Sequence, residues 1–374
     1  MIRIYTWPDV HTAVNPYLRL FYRALEPWQV RVTGRIPLDN AVLRRNAAEV
    51  DVLHFHWGPD GLWRNRGPGL LRRLHGQIGL TRLLGLARDL GKRIVWTIHD
   101  LESHDGSDFL DRRGYRLLAA RADLCICHDE EARRQSIRAL GCRPDRMMVT
   151  PLCNYDGAFP PPAAPGATLA ALGLQPDGHT LLCFGLARPY KGYELAMQAL
   201  RRLPAGFQLI VAGGVLDPAY EQILRAAAAN EERVRLVLRE LSDQESADLL
   251  HAADCVVLPY QRITGSGVLL SAFSMARGVI ASDLPYFRAA LAAEPDAGLL
   301  FARGDIADFA RAVERYFAVP LLRRQAAARR VADRHAPVTV VRPFGEWLHG
   351  NLPDRLEAAA GRLPATSPSH SGVA

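Results

Sequence analysis

The sequence predicts an α/β protein of two lobes, each a parallel sheet wrapped by helices. Three observations carry that expectation. Short apolar runs alternate with helical patterns through both halves of the chain, a proline- and glycine-rich stretch at 156–178 separates the halves, and polar residues gather where the apolar runs stop. In parallel sheets ligands bind at that place, beyond the carboxyl ends of the strands. With 374 residues, 49% hydrophobic and 23% charged, the chain is long enough for two such cores.

In the first half, runs at 2–7, 30–33, 51–57, 93–99, 124–128 and 147–151 read as strands, with helical patterns from about Asn15, Asp39, Gly69, Asp108 and Glu130 between them. Histidine stands at four strand ends. Asp9 and His11 follow the first run, and His54 and His56 close the third. His99, Asp100, Glu102, His104 and Asp105 follow the fourth, and His128 and Asp129 the fifth. His54 and His56 share a face of their strand, a spacing that can hold a metal. No metal is expected, because closely spaced acids and a helical HExxH pair are both missing.

Residues 69–93 combine leucines at helical spacing with arginines and hardly any acid. Such a helix can lie on an anionic membrane surface with its apolar face among the headgroups. It can equally be a crossover helix packed on the sheet, and the two roles are compatible.

Proline and glycine at 156–178 cannot continue a helix or a strand, so this stretch reads as the linker between a first domain at 1–155 and a second at 179–335. Strands are expected at 180–185, 208–213, 234–238, 254–259 and 279–282. Helices are expected at 194–203, 218–230, 268–277, 306–317 and 320–334, and one opens on the capping box of Ser242 and Glu245. Residues 336–374 read as a C-terminal helix and a tail whose Ala, Ser, Pro and Gly content predicts disorder.

Two loops of the second half look built for an anion. A strand stops at Gly185, a short loop carries Arg188 and Lys191, and a helical pattern follows Gly192. Two cations beside the free N–H groups of a helix start can hold a phosphate or diphosphate. The second loop leaves Pro259 and Tyr260, carries Thr264, Gly265, Ser266 and Gly267, and runs directly into a helix. Its glycines permit close approach and its hydroxyls are neutral donors. Each loop alone is also compatible with a solvated basic turn or a plain tight turn; together they suit a nucleoside diphosphate.

The formal charge of +7 calls for an acidic partner, and nucleic acid, anionic lipid and a sugar nucleotide all qualify. Nucleic acid is not expected, since no basic run is interleaved with aromatics. Six cysteines in mostly apolar runs, without a CxxC pair, read as reduced core thiols. The first strand follows Met1 without a targeting segment, and no run approaches the roughly 20 apolar residues of a membrane span. A cytoplasmic location is expected.

The segments NPYLRLFYRAL at 15–25, DVLHFHW at 51–57, VWTIHDLESHD at 95–105, GLARPYKGYE at 185–194 and LPYQRITGSGVLLSAFSMARGVIAS at 258–282 together resemble bacterial GT-B glycosyltransferases of exopolysaccharide assembly. The likeness is strongest to the xanthan-type β-mannosyltransferase group and weaker to family-4 glycosyltransferases. It implies two Rossmann-like domains with parallel sheets facing a central cleft. A sugar nucleotide, GDP-mannose by the resemblance, would lie on the second domain, and a glycan or polyprenyl-diphosphate-linked acceptor on the first, with no cofactor or metal. Residues 69–93 would touch the inner face of the membrane.

By position, Arg188 and Lys191 match the cations on the donor diphosphate. Ser266, Gly267 and Val268 match the backbone beside the phosphates, with Thr264 and Tyr260 at the pocket edge. His99 matches the histidine that reaches toward the transferred sugar. Asn15, Tyr17, His56 and Trp57 fall on the acceptor side. The departures matter too. Family-4 enzymes carry two glutamates eight positions apart, but the second position here is Ser271, and no acid occurs between Asp254 and Asp283. The early glycine-rich loop is replaced by PDVHTAVNPY. These losses point to inversion, which needs a general base. Asp105 or His104 is expected in that role ahead of His99, with Asp9, His11, Asp100 and Glu102 behind; the same residues could merely cap the next helix. Two alternatives remain: a non-catalytic sugar-nucleotide or lipid-binding subunit, and a retaining family-4-like transferase using a UDP-sugar.

Overall fold

The computed structural model describes residues 1–11, 15–37, 39–58, 60–61, 69–101 and 108–352. The first lobe is a six-stranded sheet of β1 (Ile2–Trp7), β2 (Val30–Arg35), β3 (Val52–His56), β4 (Arg93–Thr97), β5 (Leu124–Cys127) and β6 (Met147–Val149), in the order β2-β1-β3-β4-β5-β6. The second holds β7 (His179–Phe184), β8 (Phe207–Ala212), β9 (Val234–Val237), β10 (Cys255–Leu258), β11 (Gly278–Ser282) and β12 (Gly298–Phe301), in the order β12-β11-β10-β7-β8-β9. Every pairing in both sheets is parallel.

Helices cover both faces of each sheet, so the central strands are buried on both sides, as parallel sheets require. All five residues of β3 are buried, its two histidines included. In the second lobe the strand order reverses between β7 and β10. Connections run away on opposite sides there, which leaves a crevice at the carboxyl ends of those two strands. The loops after β7 and β10 are the two read from sequence as anion-receptive.

Three features differ from the sequence expectations. The stretch 156–178 contains a helix, Pro165–Ala171, because Pro165 sits in the first turn, where its missing N–H costs nothing. Helix Pro285–Leu291 and β12 were not anticipated; seven residues that begin with proline and four that begin with glycine are too short for a periodic pattern. Helix Leu70–Asp89 divides its roles along its length. Leu80, Leu83, Leu84 and Leu86 pack into the first lobe, while Leu70, Leu71 and Ile78 are exposed.

Helix Arg342–Asn351 returns to the first lobe, where the Phe344 ring lies 5.9 Å from Phe21 and 5.2 Å from His54. All six cysteines are buried free thiols. The tail expected to be disordered, 353–374, lies outside the described residues.

Candidate active site

The chain leaves β7 at Gly185, makes a tight turn over Pro189–Lys191 and enters helix Tyr193–Leu200 through Gly192. Gly192 has φ of 61°, and a Cβ there would stand 2.7 Å from the Pro259 carbonyl oxygen. Only glycine lets this loop lie against the end of β10. The Gln261 N–H donates to the Tyr190 carbonyl at 2.7 Å and ties the two loops together. In the second loop the Ser266 hydroxyl accepts from the Leu269 N–H at 3.1 Å and caps helix Gly267–Ser274. Both loops therefore open on one space.

That space is a cleft with about 650 Å³ of empty volume between the lobes. Tyr190, Lys191, Tyr260, Ser266, Gly267 and Val268 line it from the second lobe. Asn15, Tyr17, Trp57, His99 and Asp100 line it from the first. The lobes also touch directly. The Thr264 hydroxyl donates to the His99 carbonyl at 2.7 Å and lies 3.2 Å from Asp100 Oδ1. Tyr155, at the end of the first domain, donates its hydroxyl to Asn15 Oδ1 at 3.1 Å and its N–H to the Ser274 hydroxyl of the second lobe at 2.8 Å.

Lys191 is the electrostatic centre of the second-lobe wall. Its ammonium lies 5.5 Å from the Tyr260 ring and 5.8 Å from the Tyr193 ring, and no salt bridge pairs it among the described residues. Burial, together with the nearby Arg188 charge, lowers its pKa to about 8. A desolvated cation held by tyrosine faces beside a second cation is matched by an anion. Arg188 is half-buried beside Lys191, and its charge is felt at Tyr190 of the lining. Ser271, at the position of the missing glutamate, is buried and donates to the Gly267 carbonyl of its own helix at 2.9 Å. The second-lobe lining therefore contains no carboxylate among the described residues.

The first-lobe wall is a chain of buried hydrogen bonds whose direction can be deduced. The Thr150 carbonyl can only accept, so His128 Nδ1 donates to it at 3.0 Å. His128 Nε2 then accepts from His99 Nδ1 at 3.0 Å, and His99 Nε2 accepts from His56 Nδ1 at 3.3 Å. His56 Nε2 accepts the Tyr22 hydroxyl at 2.8 Å, and the Tyr22 oxygen accepts from His54 Nδ1 at 2.8 Å. His54 Nε2 closes the chain by accepting the Thr97 hydroxyl at 2.8 Å. These directions hold with each of the four histidines neutral and its proton on Nδ1. Burial favours this state, lowering His54 to about 3, His128 to about 4, and His56 and His99 well below the usual range. The His99 ring also stacks on Trp57, with centroids 4.4 Å apart and planes at 18°.

Of the sequence-derived candidates, Lys191, Tyr260, Ser266, Gly267 and Val268 meet Asn15, Tyr17, Trp57 and His99 around one cleft. Thr264 bridges the lobes. His56 lies behind the wall, fully buried, with both ring nitrogens bonded. Asp9 accepts from the His11 N–H at 3.0 Å. Glu102, His104 and Asp105 lie outside the described residues. Sequence reasoning missed Tyr22, Thr97 and Thr150, which orient the histidines, and Tyr190 and Tyr155, which line the cleft. Their only sequence signal was a position in, or just beyond, a predicted element.

Residues 178–318 match the family described as Glycosyl transferases group 1. The chain is 30% identical over 279 residues to a protein of Xanthomonas campestris pv. campestris named GDP-mannose:glycolipid 4-beta-D-mannosyltransferase, covering 73% of this chain and 71% of that one. It is also 30% identical over 155 residues to a D-inositol 3-phosphate glycosyltransferase of Xylanimonas cellulosilytica, 39% of this chain and 37% of that one. Among solved structures, Anabaena HepE in complex with UDP and glucose has the same fold, with a TM-score of 0.71 at 16% identity over 94% of this chain and 100% of that one.

Proposed function

The chain belongs to the group 1 glycosyltransferases of GT-B fold, and we propose that it moves mannose from GDP-mannose to the sugar of a lipid-diphosphate-linked acceptor, with inversion and without a metal. The observation that carries this reading is the convergence of Lys191 and the start of helix Gly267–Ser274 on one cleft, opposite His99 and Asp100. The relative's name supplies the donor, the glycolipid and the β product. GDP-mannose is an α-glycoside, so a β product requires inversion at the anomeric carbon. As that carbon leaves its phosphate oxygen, negative charge grows on the diphosphate. The Lys191 ammonium and the N–H groups around Gly267 stabilise it, which is the task a metal performs in other transferases.

The acceptor's lipid would be met by the start of helix Leu70–Asp89, in a protein working at the inner face of the membrane in the assembly of an exported glycan. Leu71 is 80% exposed beside exposed Arg72, and Phe109 of the neighbouring helix is 72% exposed. Arg73 joins the two helix starts through Asp108 at 2.6 Å and Asp111 at 3.0 Å. Apolar side chains flanked by arginine suit an anionic bilayer surface. No helix among the described residues is long and apolar enough to cross a membrane.

The test is a thermal-shift screen of nucleotides followed by a transfer assay on a lipid-diphosphate-linked oligosaccharide in the presence of EDTA. GDP and GDP-mannose are expected to raise the melting temperature more than UDP-glucose does, and a β-mannoside is expected to form. Nucleotide binding without turnover would establish the non-catalytic alternative. An α-mannoside product would overturn inversion.

A further inference from the structure

We propose that a recess beside the ends of β1 and β2, outside the cleft, is a subsite for an inner sugar of the acceptor oligosaccharide, with the Trp7 ring as its platform. The inference rests on the reading of the acceptor as a lipid-linked oligosaccharide. It assigns a place to the part of that acceptor that does not react.

β1 ends on Tyr5, Thr6 and Trp7, and strand alternation sends Tyr5 and Trp7 to one face of the sheet. On that face Tyr5 joins Ile36, Leu43 and the leucines of helix Leu70–Asp89 in one core. Gly34 of β2 leaves room for the ring, since a Cβ there would stand 3.2 Å from it. Trp7, at the carboxyl end, is only half-buried. Between these strand ends and helix Asn40–Arg45 lies a recess with about 1210 Å³ of empty volume, lined by Tyr5, Trp7, Arg35, Ile36, Val42 and Asn46 among others. Among the described residues the Trp7 ring stacks on no other ring and its N–H has no acceptor, and the side chains of Arg35 and Asn46 have no partner. Trp57 in the cleft differs, for its ring is already stacked on His99.

A concave apolar floor with a few uncommitted polar groups at its rim is the composition of a small-molecule site. The electron-rich face of an indole attracts the C–H hydrogens on the flat side of a pyranose. The hydroxyls around that ring need donors and acceptors, which the Asn46 amide and the Arg35 fork supply. A lipid chain in the recess would instead cover both polar groups without pairing them. The position suits an acceptor that reacts in the cleft. The recess opens at the carboxyl ends of the strands, as the cleft does. Trp7 pairs in register with Phe55 of β3, two residues before Trp57 of the cleft lining. From β2 to β4, whose end carries His99, the order β2-β1-β3-β4 leaves three strand spacings, about 14 Å. That span fits several linked sugars and exceeds one. Helix Asn40–Arg45, the outer wall, packs against helix Leu70–Asp89, whose exposed start is assigned to the lipid. The oligosaccharide would therefore run across the strand ends, with its terminal sugar beside Trp57 and a sugar nearer the lipid on Trp7.

The experiment compares the full chain with Trp7→Ala, Arg35→Ala and Asn46→Ala. Calorimetry measures affinity for the lipid-diphosphate-linked oligosaccharide and, separately, for GDP. A transfer assay measures kcat/KM on that oligosaccharide and on a single-sugar glycoside too short to leave the cleft. Trp7→Ala is expected to weaken oligosaccharide binding about 10- to 100-fold, as loss of an aromatic anchor does. Arg35→Ala and Asn46→Ala are expected to weaken it about tenfold. In each variant the preference for the long acceptor over the short one should fall by a similar factor, with GDP affinity within about twofold of wild type. Unchanged GDP binding shows that the variants fold, and Arg35→Ala, at an exposed position, decides the test if Trp7→Ala does not. Oligosaccharide affinity within about threefold of wild type would overturn the inference, and so would equal losses on the long and short acceptors. A wild-type chain that does not bind the oligosaccharide would overturn it as well. A wild-type chain that binds the oligosaccharide and GDP but makes no mannoside would overturn the transferase reading alone, and the binding measurement on the variants would still decide the recess.

Discussion

The two walls of the cleft solve opposite problems with the same tool, burial. On the second-lobe wall burial leaves Lys191 a charge without a carboxylate among the described residues, and its pKa falls to about 8. On the first-lobe wall burial strips four histidines of their charge and satisfies them through one another, Tyr22 and two threonines. One wall is electrostatically incomplete and the other complete. Polar groups left unsatisfied by their own fold await a ligand, whereas groups joined in a full network hold a shape. Counting titratable residues at strand ends does not separate these cases, and the partners of each nitrogen do.

The contrast can be broken most decisively at Lys191. Lys191→Ala should lower kcat by about 10²- to 10³-fold, as loss of a preorganised cation on a leaving group does. The empty protein should melt no lower than wild type, because the substitution removes a desolvated ammonium. A large drop in melting temperature would mean that Lys191 is structural. The pH dependence has a definite sign. Between about 8 and the ordinary 10.5 the unfolded chain carries a proton on this lysine that the empty native protein has lost. The penalty for burying the charge is therefore present below pH 8 and disappears as pH rises through that window. A bound diphosphate favours the protonated form. GDP affinity measured by calorimetry should thus weaken above pH 8, by up to about tenfold per pH unit. A flat profile to pH 10 would remove Lys191 from the phosphate site.

A smaller effect is expected from Gly267→Ala. A Cβ at this helix start would come 2.5 Å from the Tyr155 hydroxyl, so the N–H groups facing the cleft must shift. A displacement of a few tenths of an ångström should raise the donor KM by about tenfold and leave the melting temperature within a few degrees of wild type.

The first-lobe wall should respond the other way round. Tyr22→Phe removes a hydroxyl that both His54 and His56 use, at an expected cost of about 2–3 kcal/mol in stability, with only a few-fold loss of kcat. The same wall predicts acid sensitivity. The histidines are depressed from 6.5, so the unfolded chain binds protons that the native one does not. Stability is whole above pH 6.5 and should decline as pH falls through about 4 and 3. Chemical denaturation between pH 7 and 4 would measure this, and constant stability over that range would mean that the chain is open to solvent.

Much of this molecule could be read from its sequence. Alternation of apolar runs with helical patterns determined two parallel sheets, since only crossover helices can join parallel neighbours. Gly185, Arg188, Lys191 and Gly192 marked the basic loop after β7 because a turn, its cations and its helix start are all local in the chain. Residues 54 and 56 had to share one face of a strand. The chemistry of that face was decided by the tertiary structure alone. The histidine chain needs the register of β3 against β4 and β5, a tyrosine from helix Tyr17–Arg23 and a carbonyl just past β6. No local pattern encodes these distances. For the same reason the sequence could offer several carboxylates and imidazoles after β4, while only packing bonded both ring nitrogens of His99 to its neighbours His128 and His56.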